Sequence, residues 1–357
     1  MTPADRVERA LEDVLDRAAV TAAEVGHRFP LFADPDTGRW VTTGRGSWTG
    51  GFWAGLLWLR ARHTGDEADR ALASACTARL AGWVEADTAT RGLIHWYGTA
   101  LAVGDAGAEE LRNRAARACL TALDPELGLV PWGSAFGGPR LLARVDGVPG
   151  MVPLLATAGL EGAAAAASHL HRHIDLCVRE GLAPALRFEA DTGWQACDDP
   201  PPGWSRGRAW LLLAVADALH RPGAAGWKPA RLEGVAAQLA APRTGSARRI
   251  VPLADEAWPD GPVDTSAAAI TAVALLKLAR IPGPRAAEYS HRAVVILDRL
   301  VTAHLTGRDG TRPAGMLLDG CYDVGRGAAV RHELVWGDFF LALGLAALTG
   351  LVDVREV

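Results

Sequence analysis

Apolar residues recur along this chain with the period of a helix, almost without a break. Near the start, Val7, Leu11, Val14, Leu15 and Ala18 share one face of a segment whose remaining positions are mostly charged, the stripe of a helix laid on a core. Thr2 followed by Pro3 marks where that helix begins. The same period predicts further helices over 50–63, 67–85, 93–103, 108–123, 147–158, 161–179, 204–220, 229–241, 264–280, 284–303 and 333–349, making twelve in all. Strand signals are weak throughout, because β-branched runs of period two are nearly absent.

The connections alternate in length. Those after the second, fourth, sixth, eighth and tenth helices are short, as at 159–161, and suit antiparallel hairpins. Those before the even-numbered helices are mostly long: 26–48, 124–146, 181–203, 242–263 and 304–332. Even-numbered helices are also apolar all round, as in GFWAGLLWL (51–59), RAWLLLAVADAL (208–219) and TSAAAITAVALLKL (265–278), which predicts burial. Inner helices alternating with amphipathic outer ones describe an all-α toroid, an (α/α)6 six-hairpin barrel, with the long loops at one rim. A repeat of about 55 residues per pair suits one closed domain over 1–357 rather than an open solenoid.

Five Gly/Trp-rich segments recur, each running straight into an apolar helix: 46–53, 130–151, 193–210, 255–267 and 333–338. If the rim gathers them, they line one cleft. Thirteen Trp stand against three Tyr and seven Phe. An indole N–H needs a partner when buried, so Trp in loops is expected to offer flat faces to a ligand. A net charge of −4 argues against nucleic acid. No apolar signal core and no run of about 18 uncharged apolar residues is found, so a cytoplasmic protein without membrane contact is expected. Five scattered cysteines, with no CxxC, fit reduced thiols.

Asp146, in RVDGVPGM, is the foremost chemical candidate: either an N-cap of the sixth helix or a carboxyl set to exchange a proton. Arg206, between Trp204 and Trp210, either pairs with Asp198 or Asp199 or lies beside an indole to meet sugar hydroxyls or a carboxylate. Asp264 reads as the cap of the tenth helix, and Asp338 as a helical acid bonding a loop. His169, His171 and His173 lack further ligands at a metal-like spacing and are expected on a solvated face. P-loop, dinucleotide, HExxH and GxSxG patterns are missing, and no metal or cofactor is expected.

SWTGGFWAGLLWLRARHTGD (47–66), GWSRGRAW (203–210), VDTSAAAITAVALLKLA (263–279), GMLL (315–318) and VWGDFF (335–340) occur in one collinear order. In that order the chain resembles the unsaturated glucuronyl hydrolases and the related unsaturated rhamnogalacturonyl hydrolases (glycoside hydrolase families 88 and 105). The resemblance implies the same six-hairpin barrel and an unusual hydrolysis. One Asp protonates C4 of a 4,5-unsaturated uronyl end, water adds at C5, and the hemiketal collapses to release the partner sugar. It places Asp146 as that acid, with Trp132, Gln195, Arg206 and Trp210 at or near sugar-contacting positions and Trp48 at the mouth. The family's second Asp lies in an H-D-x-G-F motif, for which this chain has Ala89-Thr90-Arg91-Gly92-Leu93. Thr90 stands at the Asp position, and Asp87 and His95 are the nearby groups offered in its place. Trp336 stands where the family has Tyr, and apolar residues replace a His near 184–186.

These departures leave two other readings. In one, the same barrel hydrolyses, eliminates or isomerises another small molecule, such as a secondary metabolite. In the other, it binds sugars without turnover. The expected partner is an oligosaccharide or small molecule, and the expected assembly a monomer or homodimer.

Overall fold

The computed structural model describes residues 2–221, 226–241 and 249–357. Positions 242–248 of the expected long connection at 242–263 lie outside the described residues. The helices are α1 (Pro3–Val25), α2 (Gly50–Thr64), α3 (Glu67–Ala78), α4 (Tyr97–Thr99), α5 (Ala106–Thr121), α6 (Met151–Ala156), α7 (Gly159–Cys177), α8 (Ser205–Leu219), α9 (Pro229–Ala240), α10 (Thr265–Ala279), α11 (Ala286–Ala303) and α12 (Val335–Thr349). Two inner helices differ from expectation. The fourth runs into α4 from a π-helical turn over Gly92–Trp96, and the sixth is only Met151–Ala156, since 145–147 form a 3-10 turn.

The inner helices close a ring. α2 packs on α12 and on the 92–99 segment, that segment on α6, α6 on α8, α8 on α10, and α10 on α12. Outside it, α1 lies on α12 and α2, α3 behind α2, α5 and α7 against α6, α9 behind α8, and α11 behind α10. This is the six-hairpin barrel. α10 and α12 are buried on nearly every face, whereas α11 buries only a stripe, Tyr289, Ala293, Ile296, Leu297 and Leu300.

Close approach at the rim needs glycine in two places. A Cβ on Gly51 would stand 2.3 Å from the carbonyl oxygens of Leu93 and Ile94, and one on Gly92 would stand 2.1 Å from the Met151 nitrogen. Contacts then continue around the rim. Gly207 of α8 faces the Val145 side chain, Arg206 reaches Asp264 before α10, Gly337 of α12 meets Ser266 of α10, and Trp336 meets Trp48 before α2. The starts of the six inner helices therefore form one continuous rim.

The long connections are not structureless. They hold β1 (Phe29–Ala33), β2 (Trp40–Thr43), β3 (Leu142–Arg144), β4 (Ala185–Glu189), β5 (Gly193–Ala196), β6 (Gly320–Asp323) and β7 (Ala328–Leu334). One antiparallel sheet has the order β2-β1-β7-β6, joining the first long connection to the last; the other has β3-β4-β5. Strands of three to seven residues carry too little alternation to stand out in a sequence. The tryptophans also depart from expectation: eight of the thirteen are buried. Several of these indoles have an N–H acceptor, as Trp58 has in Thr77 Oγ1 at 2.9 Å and Trp40 in Thr21 Oγ1 at 3.0 Å. They fill the core more than they line a cleft.

A buried charge cluster ties α1 to β7. Arg17 grips Glu333 through two hydrogen bonds, of 3.0 and 2.8 Å, and Asp338 lies close by with Oδ1 unpartnered. Burial pushes the Glu333 carboxyl up to about 7 although Arg17 opposes it, and burial with the Glu333 charge raises Asp338 well above the carboxylate range. The folded state therefore holds protons that the unfolded chain releases. Stability is fully present below the ordinary carboxyl range and is lost as pH rises through about 7. Asp338→Asn removes the raised acid, so its gain in melting temperature over the wild type is expected to grow from about pH 5 to about pH 8. An equal difference at both pH values would show that Asp338 holds no extra proton.

Candidate active site

Asp146 lies in the 3-10 turn Val145–Gly147, between β3 and α6. It does not cap the helix: the N-cap of α6 is Gly150, with no side-chain bond, which corrects the capping alternative. Its carboxylate faces Arg144, with Nε to Oδ1 at 3.0 Å and Nη2 to Oδ2 at 3.1 Å. Both side chains keep some access to solvent, 22% for Arg144 and 16% for Asp146. The Arg144 guanidinium lies 4.5 Å over the Trp132 ring, a cation–π stack that fixes its plane. Burial alone would lower Arg144, but the Asp146 charge and hydrogen bonds outweigh it and hold its pKa up.

This turn is clamped from behind. His169 accepts the Val130 N–H at Nδ1 (3.0 Å), which leaves its proton on Nε2 facing the Gly147 carbonyl at 3.3 Å. The His173 ring lies 4.4 Å from it, tilted, and contacts the His169 carbonyl through Nδ1 at 2.8 Å. His169, His171 and His173 are all buried, which corrects the expectation of a solvated face. Their helix is covered on one side by the chain at 127–130 and by β3 and β4, and on another, at His171, by the Trp227 carbonyl and Arg231, so polar residues there have to find partners within the protein. Burial holds His169 well below its ordinary value, hence neutral.

Farther along the rim, Trp48, Trp336, Tyr322, Arg206 and Trp204 form one cluster, its ring pairs tilted or edge-on. Trp48 and Trp336 centroids are 4.8 Å apart, Tyr322 and Trp336 5.3 Å, and Arg206 lies 5.5 Å from Trp336 and 5.3 Å from Trp204. Trp48 donates from Nε1 to the Tyr322 hydroxyl at 3.3 Å and is half-buried. Arg206 is not paired with Asp198 or Asp199. Its Nη1 meets Asp264 at 2.5 Å and the Cys321 carbonyl, and its Nη2 donates to the Tyr322 carbonyl at 2.7 Å. Asp264 caps α10 through Ser266 as expected, and also anchors this arginine. Arg206 therefore braces the rim from inside. Trp210, 1% exposed between Phe52 and Phe340, and Trp336, fully buried, are core in this structure and present no face to a ligand. Gln195 is exposed on β5, opposite Arg187, and donates to the Thr192 carbonyl at 3.0 Å.

No family model matches the sequence. The chain is 26% identical, over 96% of both sequences, to the unsaturated glucuronyl hydrolase of Bacillus sp. (strain GL1). Among solved structures, the unsaturated glucuronyl hydrolase of Streptococcus agalactiae superposes with a TM-score of 0.85 at 18% identity, covering 99% of this chain and 94% of that one. One specific for heparin superposes with 0.82 at 19% identity, over 98% and 99%. The chain resembles the unsaturated glucuronyl hydrolases in sequence and in fold.

Against that hydrolase likeness, the segment 89–92 gains meaning. It packs directly on the Asp146 turn: Ala89 donates to the Trp132 carbonyl at 2.9 Å, and Gly147 faces the Ala89 side chain. Where the resemblance implies a second acid, Thr90 is buried and shares a hydrogen bond with Thr88 at 2.9 Å. Asp87 is bound to Arg140 at 2.9 Å and to Ser134. Partial burial acts to raise it, but these bonds hold its carboxyl below the ordinary range. His95 is fully buried beside the Trp83 backbone. Burial, with Arg91 and Arg114 nearby, lowers it to about 3 although the Trp83 backbone opposes this, so it is neutral near pH 7. The structure thus brings Trp132 and Asp146 together, with Trp48 on the same rim, and leaves neither Asp87 nor His95 as a free acid beside Asp146. Sequence reasoning missed Arg144. The signal was there, since residues two apart at a strand end share a face.

Proposed function

We propose that this chain is a glycoside hydrolase of the unsaturated glucuronyl hydrolase type, acting on oligosaccharides that end in a 4,5-unsaturated uronyl sugar. The observation that carries the reading is a single partly exposed carboxylate, Asp146, set beside the Trp132 ring on the rim of a barrel shared with those hydrolases. One acid suffices for this chemistry. Asp146 gives a proton to C4 of the enol ether, positive charge develops at C5 and the ring oxygen, and water adds at C5 as Asp146 takes back a proton. The hemiketal then opens and the partner sugar leaves. Trp132 and Trp48 are proposed as aromatic walls, with Arg144 stacked on Trp132 and Arg206 beside the Trp336 ring that backs Trp48.

Relatives of the same type are described as degrading glycosaminoglycan or as specific for heparin, and the proposed substrate class is of that kind. The five cysteines are free and four are buried, with the thiols of Cys76 and Cys177 pushed up to about 12 by burial. That supports a cytoplasmic setting. Among the described residues no helix is long and apolar enough to cross a membrane. The test is incubation with a panel of lyase-generated disaccharides, following the ultraviolet absorbance of the enol ether. Loss of absorbance with release of the partner sugar is expected for at least one. A panel left wholly intact, with the protein folded, ends the proposal.

A further inference from the structure

We propose that Arg144 is the receptor for the carboxylate of the uronyl substrate, holding Asp146 on one edge of its guanidinium and the ligand on the other. The inference rests on the hydrolase reading above and adds to it the group that selects an acidic sugar. A guanidinium presents two forks, one through Nε and Nη2 and one through its two terminal nitrogens. Arg144 gives the first fork to Asp146, at 3.0 and 3.1 Å. Its Nη1 has no hydrogen bond among the described residues and is not among the enclosed polar atoms. The stack on Trp132 at 4.5 Å holds the plane, so the open edge has a fixed direction beside an aromatic face.

Four other arginines near the rim are held by carboxylates. Arg206, the residue the sequence favours for a carboxylate, is buried and bound to Asp264, Cys321 and Tyr322, and its remaining Nε is enclosed. Arg140 is held by Asp87, Arg187 by Glu189, and Arg326 by Asp199 and Asp323. The substrate chemistry supplies the second half of the argument. A uronyl carboxylate is carried on C5, the neighbour of the carbon that takes the proton. A group touching both the acid and that carboxylate brings the C4–C5 bond to Asp146, and charge-assisted forks are the strong, directional kind of hydrogen bond. Arg144 is thus a specificity residue rather than only a partner of the acid.

The experiment compares an unsaturated uronyl disaccharide with its methyl ester, in the wild type, Arg144→Gln and Arg144→Lys, each checked for folding by thermal melting. The wild type is expected to favour the free acid. In Arg144→Gln, kcat/KM for the acid falls about tenfold to a hundredfold, while the ester changes far less, and Arg144→Lys is intermediate. Acid and ester falling by one common factor would overturn the proposal, because Arg144 would then act only through Asp146. A second measurement needs no turnover: calorimetric titration with glucuronate and with glucose. Glucuronate is expected to bind the wild type more tightly than glucose, and Arg144→Gln to lose that difference. A difference that survives in Arg144→Gln, or is missing in the wild type, overturns the carboxylate site. Selective glucuronate binding without turnover of any disaccharide would instead overturn the hydrolase reading and leave the site standing.

Discussion

Asp146→Asn will lower kcat for the unsaturated disaccharide by about a hundredfold to ten-thousandfold while the protein remains folded. The expected loss is large because neither position offered for a second acid supplies a free carboxyl. Thr90 is buried against Thr88, and Asp87 is held by Arg140. Asparagine keeps the shape and still accepts one hydrogen bond from Arg144, but it has no proton to give C4 and cannot take one from water. The cost to stability is small, about 1 kcal/mol, because the Arg144–Asp146 pair keeps contact with solvent and the turn is clamped independently by His169. Enol-ether absorbance read beside a thermal melt checks both halves of the expectation. Turnover at the wild-type rate in a folded Asp146→Asn protein would remove this residue from the chemistry.

The barrel was legible because its physics is local and periodic. All-round apolar segments such as 265–278 are buried in α10, and amphipathic ones such as 284–303 surround them. Alternating long and short connections set which helix ends share a rim. What escaped was decided by distant partners. Arg206 has Asp198 and Asp199 close by in sequence, yet its ion pair is with Asp264, 58 positions away, since the long loops fold over the rim. The three histidines of α7 look solvated, but His169 is tied to the Val130 N–H of the loop laid over it, and His171 is covered on another side by the Trp227 carbonyl and Arg231. Trp210 and Trp336 resemble ligand platforms in their motifs and are packed into the core. Asp146 was readable from its turn, whereas its bond to Arg144 needed the strand before it to be recognised.

Lys277→Met will destabilise the fold by about 3–5 kcal/mol, the largest effect expected of a single change away from the rim. Lys277 lies in the last turn of α10 with its side chain 1% exposed, and Asp217, 4% exposed, lies in the last turn of α8. The Lys277 ammonium donates to the Asp217 carboxylate and to the Val357 backbone oxygen, joining two inner helices at the end of the ring opposite the rim. Methionine matches the lysine stem in volume but leaves the Asp217 charge buried without its ammonium. The penalty is thus the uncompensated ion, not lost packing. A double change separates the two: Asp217→Leu with Lys277→Met removes both charges and should recover most of the loss. Urea unfolding of the wild type, both single variants and the pair gives the coupling directly. A single Lys277→Met variant as stable as the wild type would mean that Asp217 reaches water or Arg221 instead. Recovery in the pair would show that the loss comes from the unpaired buried charge and that apolar packing between α8 and α10 supplies the stability there.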